Sequence, residues 1–128
     1  MPYKPPGTTS VAPYLLVEDA PRYLRFLAEA FDGEILRRFD RPDGALAHAE
    51  VRIDDTVVML AEATAAFPAF PVWLHVFVPD VDAAHARALA AGARSIQAPM
   101  QEPHDPDRRG GIVDPAGHTW WLTTLASA

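Results

Sequence analysis

Two short stretches carry residues that could do chemistry. His48, Glu50 and Arg52 alternate along residues 46–53, and alternation on a strand places all three side chains on one face. His75 stands between Trp73 and Phe77 at the same spacing. Histidine and glutamate are suited to moving protons near neutral pH, and both can ligate a divalent ion. Nucleophilic chemistry finds no support: there is no cysteine, and no serine sits in a nucleophile motif. The remaining histidines read differently. His85 on an Ala-rich helix and His104 in a polar loop are expected to be exposed, and His118 to support a turn.

A hairpin must position the first set. A two-residue turn at Asp54-Asp55 pairs Ile53 with Thr56, Arg52 with Val57, Glu50 with Met59 and His48 with Ala61. Met59 therefore shares a face with His48, Glu50 and Arg52. On the other strands alternation groups Trp73, His75 and Phe77 on one face, and two such halves can pair around a shared cleft that Tyr14 and Trp121 would join. An apolar, aromatic pocket with a few polar groups is the usual form of a small-molecule site. Leu15, Val17, Leu74, Val76, Trp120 and Leu122 take the opposite faces and are expected to pack under helices.

These strands belong to a unit that occurs twice. The first copy reads strand 11–17, helix, and strands 34–40, 46–53 and 56–61. Asp19 caps the helix, Pro21 sits in its first turn, and Tyr23, Leu24, Leu27, Ala30 and Phe31 recur at helical spacing until Gly33. The second copy reads strand 73–78, helix 82–91 ending at Gly92, and strand 94–98. A loop over 99–109 then leads to strands 110–113 and 118–124, around the Asp114-Pro115-Ala116-Gly117 turn. Asp19 and Asp82 stand 63 positions apart, and Met59 and Trp121 stand 62 apart. That period suits a duplicated half-domain and is too long for a solenoid repeat. The expected fold class is α+β: two tandem βαβββ modules forming a curved, mixed-sheet cup with helices outside. Residues 1–9 are expected to be a flexible Pro-rich arm. Module 1 covers 10–63, a linker 64–71, and module 2 72–126, all within one domain over 10–128.

Composition narrows the partners. The net charge of −6, without a basic face, argues against nucleic acid. No apolar run approaches the roughly 20 residues of a membrane span. The N-terminus lacks the apolar core of a signal peptide, so the expected location is the cytoplasm.

Several motifs carry a resemblance: Val17-Glu18-Asp19, His48-Ala49-Glu50, His75-Val76-Phe77-Val78, Asp80-Val81-Asp82-Ala83-Ala84 and the Asp114-Pro115-Ala116-Gly117-His118 turn. In this order the chain resembles the vicinal oxygen chelate superfamily, which holds glyoxalase I, extradiol dioxygenases and bleomycin-resistance proteins. The resemblance implies the duplicated fold and, in the enzymes, a divalent metal held by the first and last strands of each module. Those positions fall on Ala12, Met59, His75 and Trp121, of which only His75 is a useful ligand. No metal, cofactor or catalytic residue is therefore expected.

The chain is similar to the metal-free, antibiotic-binding branch. That implies a homodimer sequestering a hydrophobic or aromatic compound, such as a chromophore-bearing peptide antibiotic. Its ligand residues would be Tyr14, His48, Glu50, Arg52, Met59, Trp73, His75, Phe77 and Trp121, with Trp73 and Trp121 as main anchors. Two alternatives stand beside this. One is a glyoxalase-like lyase or isomerase acting on a small carbonyl compound, with His75 or Glu50 as acid or base. The other is a dimer module whose cup is plugged by its own aromatics.

Overall fold

A computed structural model describes residues 2–126. The elements run β1 (Tyr14–Val17), α1 (Ala20–Phe31), β2 (Glu34–Asp40), β3 (Leu46–Ile53), β4 (Thr56–Glu62), β5 (Trp73–Phe77), α2 (Val81–Ala90), β6 (Arg94–Met100), β7 (Asp107–Val113) and β8 (Thr119–Leu125). They form two four-stranded mixed sheets, ordered β1-β4-β3-β2 and β5-β8-β7-β6. In each, the first strand lies parallel to the last and the other pairs are antiparallel. This is the expected α+β, twofold βαβββ arrangement. The chain divides into two compact units. One holds the residues up to Ala28 together with Asp32–Ala69; the other holds Glu29–Phe31 and the chain from Phe70 onward. Among the described residues, no helix is long and apolar enough to cross a membrane.

In the first unit the hairpin ladder runs from Ile53–Thr56 through Arg52–Val57 and Glu50–Met59 to Ala49–Leu60. Leu15, Val17, Ala49, Val51 and Leu60 are all buried, as expected for the face away from His48 and Glu50. Asp19 caps α1 from a left-handed conformation, φ 57°, which is uncommon for a residue with a side chain. Glu62 at the end of β4 holds it there, accepting from the backbone N–H groups of Asp19 and Ala20 at 2.9 and 3.0 Å. The carboxylate satisfies orphan donors at the positive end of the helix. At the other end the sequence expectation needs correcting. Asp32, at φ 54°, makes the left-handed turn that ends α1. Gly33 serves a different purpose, because a Cβ there would stand 2.8 Å from Val51 Cγ1 and 2.9 Å from the Leu27 carbonyl oxygen.

In the second unit α2 begins at Val81, one residue before the expected Asp82. Asp80 is the cap, accepting from the Ala83 N–H, and Asp82 in the first turn pairs with Arg108 instead. Val81, Ala84, His85 and Ala88 form the buried face of α2. His85 is thus buried, not exposed. Its Nε2 lies 3.0 Å from Ser95 Oγ, and its ring fills the space that a side chain at Gly110 would occupy. The expected loop over 99–109 is shorter, because β6 extends to Met100 and β7 begins at Asp107.

Asp114 organises the last turn. One carboxylate oxygen accepts from the N–H groups of Ala116 and His118, and the other from Trp120 Nε1 at 2.8 Å. Gly117 follows at φ 92°. Trp120 is 2% exposed and its ring packs on Phe31 at 4.7 Å, so it belongs to the core. His118 is also buried, and its Nδ1 accepts from the Val72 N–H. Burial pushes its imidazole below the usual histidine range, against the opposing pull of Asp114.

Candidate functional site

The nine expected ligand residues divide between the two units. Tyr14, His48, Glu50, Arg52 and Met59 share one face of the first sheet. Trp73, His75, Phe77 and Trp121 share one face of the second. The ladders carry this directly, with Met59 between Tyr14 and Glu50 in one sheet and Trp121 beside His75 in the other.

On the first sheet four residues form a continuous polar chain. Tyr14 Oη lies 3.0 Å from His48 Nδ1, and His48 Nε2 lies 2.8 Å from Glu50 Oε2. Arg37 donates to both oxygens of Glu50, from Nε at 3.1 Å and Nη2 at 2.6 Å. Glu50 is only 1% exposed, so an unpaired charge there would be costly. The Arg37 guanidinium holds its carboxyl below the usual carboxylate range, overcoming burial, and the bond from His48 adds to this. Glu50 is therefore the buried centre of a connected network whose two ends, Tyr14 and Arg37, are exposed.

Arg37 was not legible beforehand because a bulge delivers it. Glu34 pairs with Arg52 and Ile35 with Val51, but Arg37 then faces Glu50, leaving Leu36 as the extra residue. A second irregularity leaves Ala47 as the extra residue on β3.

Two cavities adjoin this face. One, of about 370 Å³, is lined by Tyr14, Leu16, Ala61 and Phe67 with Arg41 and Glu62 among its polar groups. The other, of about 270 Å³, lies between residues 3–10 and Arg37, Glu50 and Met59. Residues 5–8 make a turn there, in which the Thr8 N–H reaches the Pro5 carbonyl. Gly7 at φ 80° is placed where only glycine turns easily, and its Cα side abuts the Arg52 guanidinium.

The second face is aromatic. Trp73 is 74% and Phe77 65% exposed, while Leu74 and Val76 between and beside them turn inward. The rings of Trp73 and Trp121 lie 5.7 Å apart. His75 meets Phe77 edge-on at 4.6 Å, and its Nε2 lies 2.9 Å from Thr123 Oγ1. The Trp121 indole covers Gly111, where a Cβ would come within 2.7 Å of the ring. Its Nε1 is buried with no hydrogen-bond partner.

The metal implied by the resemblance finds no fitting donors. By the ladders, Tyr14 opposite Met59 stands where His75 stands opposite Trp121. The counterpart of His75 is thus Tyr14, two residues beyond Ala12. Tyr14 is committed to His48, Met59 offers a soft thioether, and an indole is not a ligand. Among the described residues, no group of three or more His, Cys, Asp or Glu side chains is arranged to hold a metal ion.

Comparison with known proteins agrees with this architecture. The model of the Glyoxalase/Bleomycin resistance protein/Dioxygenase superfamily matches residues 9–122. An uncharacterized protein of Mycobacterium bovis is 37% identical over 124 residues, covering 88% of this chain and 81% of the relative. TioX from Micromonospora sp. ML1 superposes with a TM-score of 0.76 at 25% identity, over 91% of this chain and 98% of its own. TnmS3, an antibiotic-binding protein from Streptomyces sp. CB03234, gives a TM-score of 0.70 at 22% identity, over 91% and 97%; at that identity the likeness is one of fold. With the duplicated βαβββ units and a matching family model over most of its length, the chain belongs to the glyoxalase/bleomycin resistance protein/dioxygenase superfamily.

Proposed function

We propose that this protein is a metal-independent binder that sequesters an aromatic or hydrophobic small molecule of the chromophore-bearing peptide antibiotic class. The observation that carries the reading is the aromatic face of β5 and β8. A regular strand spends its alternate positions on Trp73, His75 and Phe77, and two of these rings stand more than half exposed. Such a surface usually marks a place that is covered in use. Flat ligand rings stacked there would gain about 0.5–1.5 kcal/mol per pair beyond area burial. The donor set described above supports the metal-independent part of the proposal, and the fold shared with TnmS3 is compatible with the antibiotic part. The protein would act as a homodimer, as the resemblance implies.

Titrating the protein with a panel of aromatic antibiotics in the presence of a chelator tests the proposal, with tryptophan emission as the readout. Saturable quenching by at least one compound is expected. A response that appears only when the chelator is left out would contradict metal independence.

A further inference from the structure

We infer that the Tyr14–His48–Glu50–Arg37 chain sets Tyr14 as a hydrogen-bond acceptor, so that the adjoining cavity selects aromatic ligands bearing a hydroxyl donor. The inference deepens the small-molecule reading and rests on it.

The direction of the chain follows from its buried carboxylate. Arg37 holds both oxygens of Glu50, so the carboxylate can only accept from His48. His48 Nε2 therefore carries the hydrogen. In the neutral ring Nδ1 is then the acceptor, and the hydrogen between it and Tyr14 Oη belongs to the phenol. Tyr14 thus spends its only donor internally and keeps oxygen lone pairs. The residue is 47% exposed and lines the 370 Å³ cavity, so a ligand can reach it. A ligand that meets this oxygen must bring a donor. An ether or carbonyl oxygen there would face another acceptor and lose its water without replacement.

The remaining lining fits the same class. Leu16, Ala61 and Phe67 give an apolar surface for a flat ring. Arg41 lines the same cavity; its Nε is buried without a hydrogen-bond partner, 3.7 Å from Asp43. A cation there favours a ligand oxygen made more negative by donating its proton toward Tyr14. Ala47, the bulged residue of β3, brings no side chain large enough to close the space.

The test uses 2-naphthol and its methyl ether, 2-methoxynaphthalene, with binding followed by calorimetry. Wild-type protein should bind the naphthol about tenfold more tightly, the effect of one hydrogen bond gained against one acceptor left unpaired. Tyr14→Phe should bring the ratio close to one without abolishing binding of the ether. His48→Phe keeps a ring but frees the Tyr14 hydroxyl to donate, so the ether should gain affinity relative to the naphthol. A merely structural role for His48 would not shift that preference. Equal affinities in wild type, or a preference that survives both substitutions in folded protein, would overturn the inference alone. Failure of both probes to bind wild-type protein would overturn the inference, whereas the small-molecule reading falls only if the aromatic antibiotics also leave tryptophan emission unchanged.

Discussion

Glu50 and His118 are buried ionisable groups whose pKa values are shifted in the same direction, and they govern separate pH windows. An unfolded histidine takes up its proton near pH 6.5, but His118 is held neutral in the fold by burial and uses Nδ1 to accept from Val72. Its contribution is present above about pH 6.5 and declines as pH falls from there toward the folded value. Glu50 has its folded pKa depressed, chiefly by Arg37. Its contribution is complete above about pH 4.3 and is lost as pH falls through the lower folded value. Thermal melts between pH 8 and pH 3 should show two successive declines. Glu50→Gln should flatten the acidic one while leaving the slope near pH 6 in place; a slope unchanged in both windows would count against this account. At this scale the sequence was partly legible. Alternation placed His48, Glu50 and Met59 on one face, but Arg37 depends on a bulge at Leu36 that no periodicity announces. Ala12 was two residues from the true counterpart of His75, because parity fixes a face and leaves the register free.

Elements here are held by their ends. Asp114 links three donors across the last hairpin, including the buried Trp120 indole. Asp114→Ala should therefore destabilise the protein by more than about 2 kcal/mol, since buried donors lose their acceptor together. A shift of the urea midpoint at unchanged slope would measure it. A loss below about 0.5 kcal/mol, the scale of ordinary surface substitutions, would show that the turn is maintained without the carboxylate. The Asp-Pro-x-Gly-His pattern made this turn readable in advance. The caps were less so. Asp19 and Asp82 align well in sequence, yet Asp80 caps α2, because two acidic residues two positions apart offer the same local chemistry and packing of Val81 and Ala84 decides between them. His85 misled for a related reason. An Ala-rich helix gives a weak amphipathic signal, and the absence of a side chain at Gly110 made the room that buries it.

For the whole molecule, the exposed rings of Trp73 and Phe77 bear on both association and ligand capture. Homodimerisation is the expected outcome of light scattering at micromolar concentration, and a monomer mass across the concentration series would oppose it. The duplication was legible from the strand order and the offset of 62–63 residues, since each half carries its own turns and alternation. The ligand was not, because aromatic alternation specifies a surface and not the molecule that covers it. The most direct measurement is the affinity of an aromatic antibiotic for wild-type, Trp73→Ala and Trp121→Ala proteins, in chelator, with folding checked by thermal melting. Each substitution should weaken binding by about 1.5–4 kcal/mol, the range for buried aromatic anchors. Wild-type affinity in both folded variants would contradict the account.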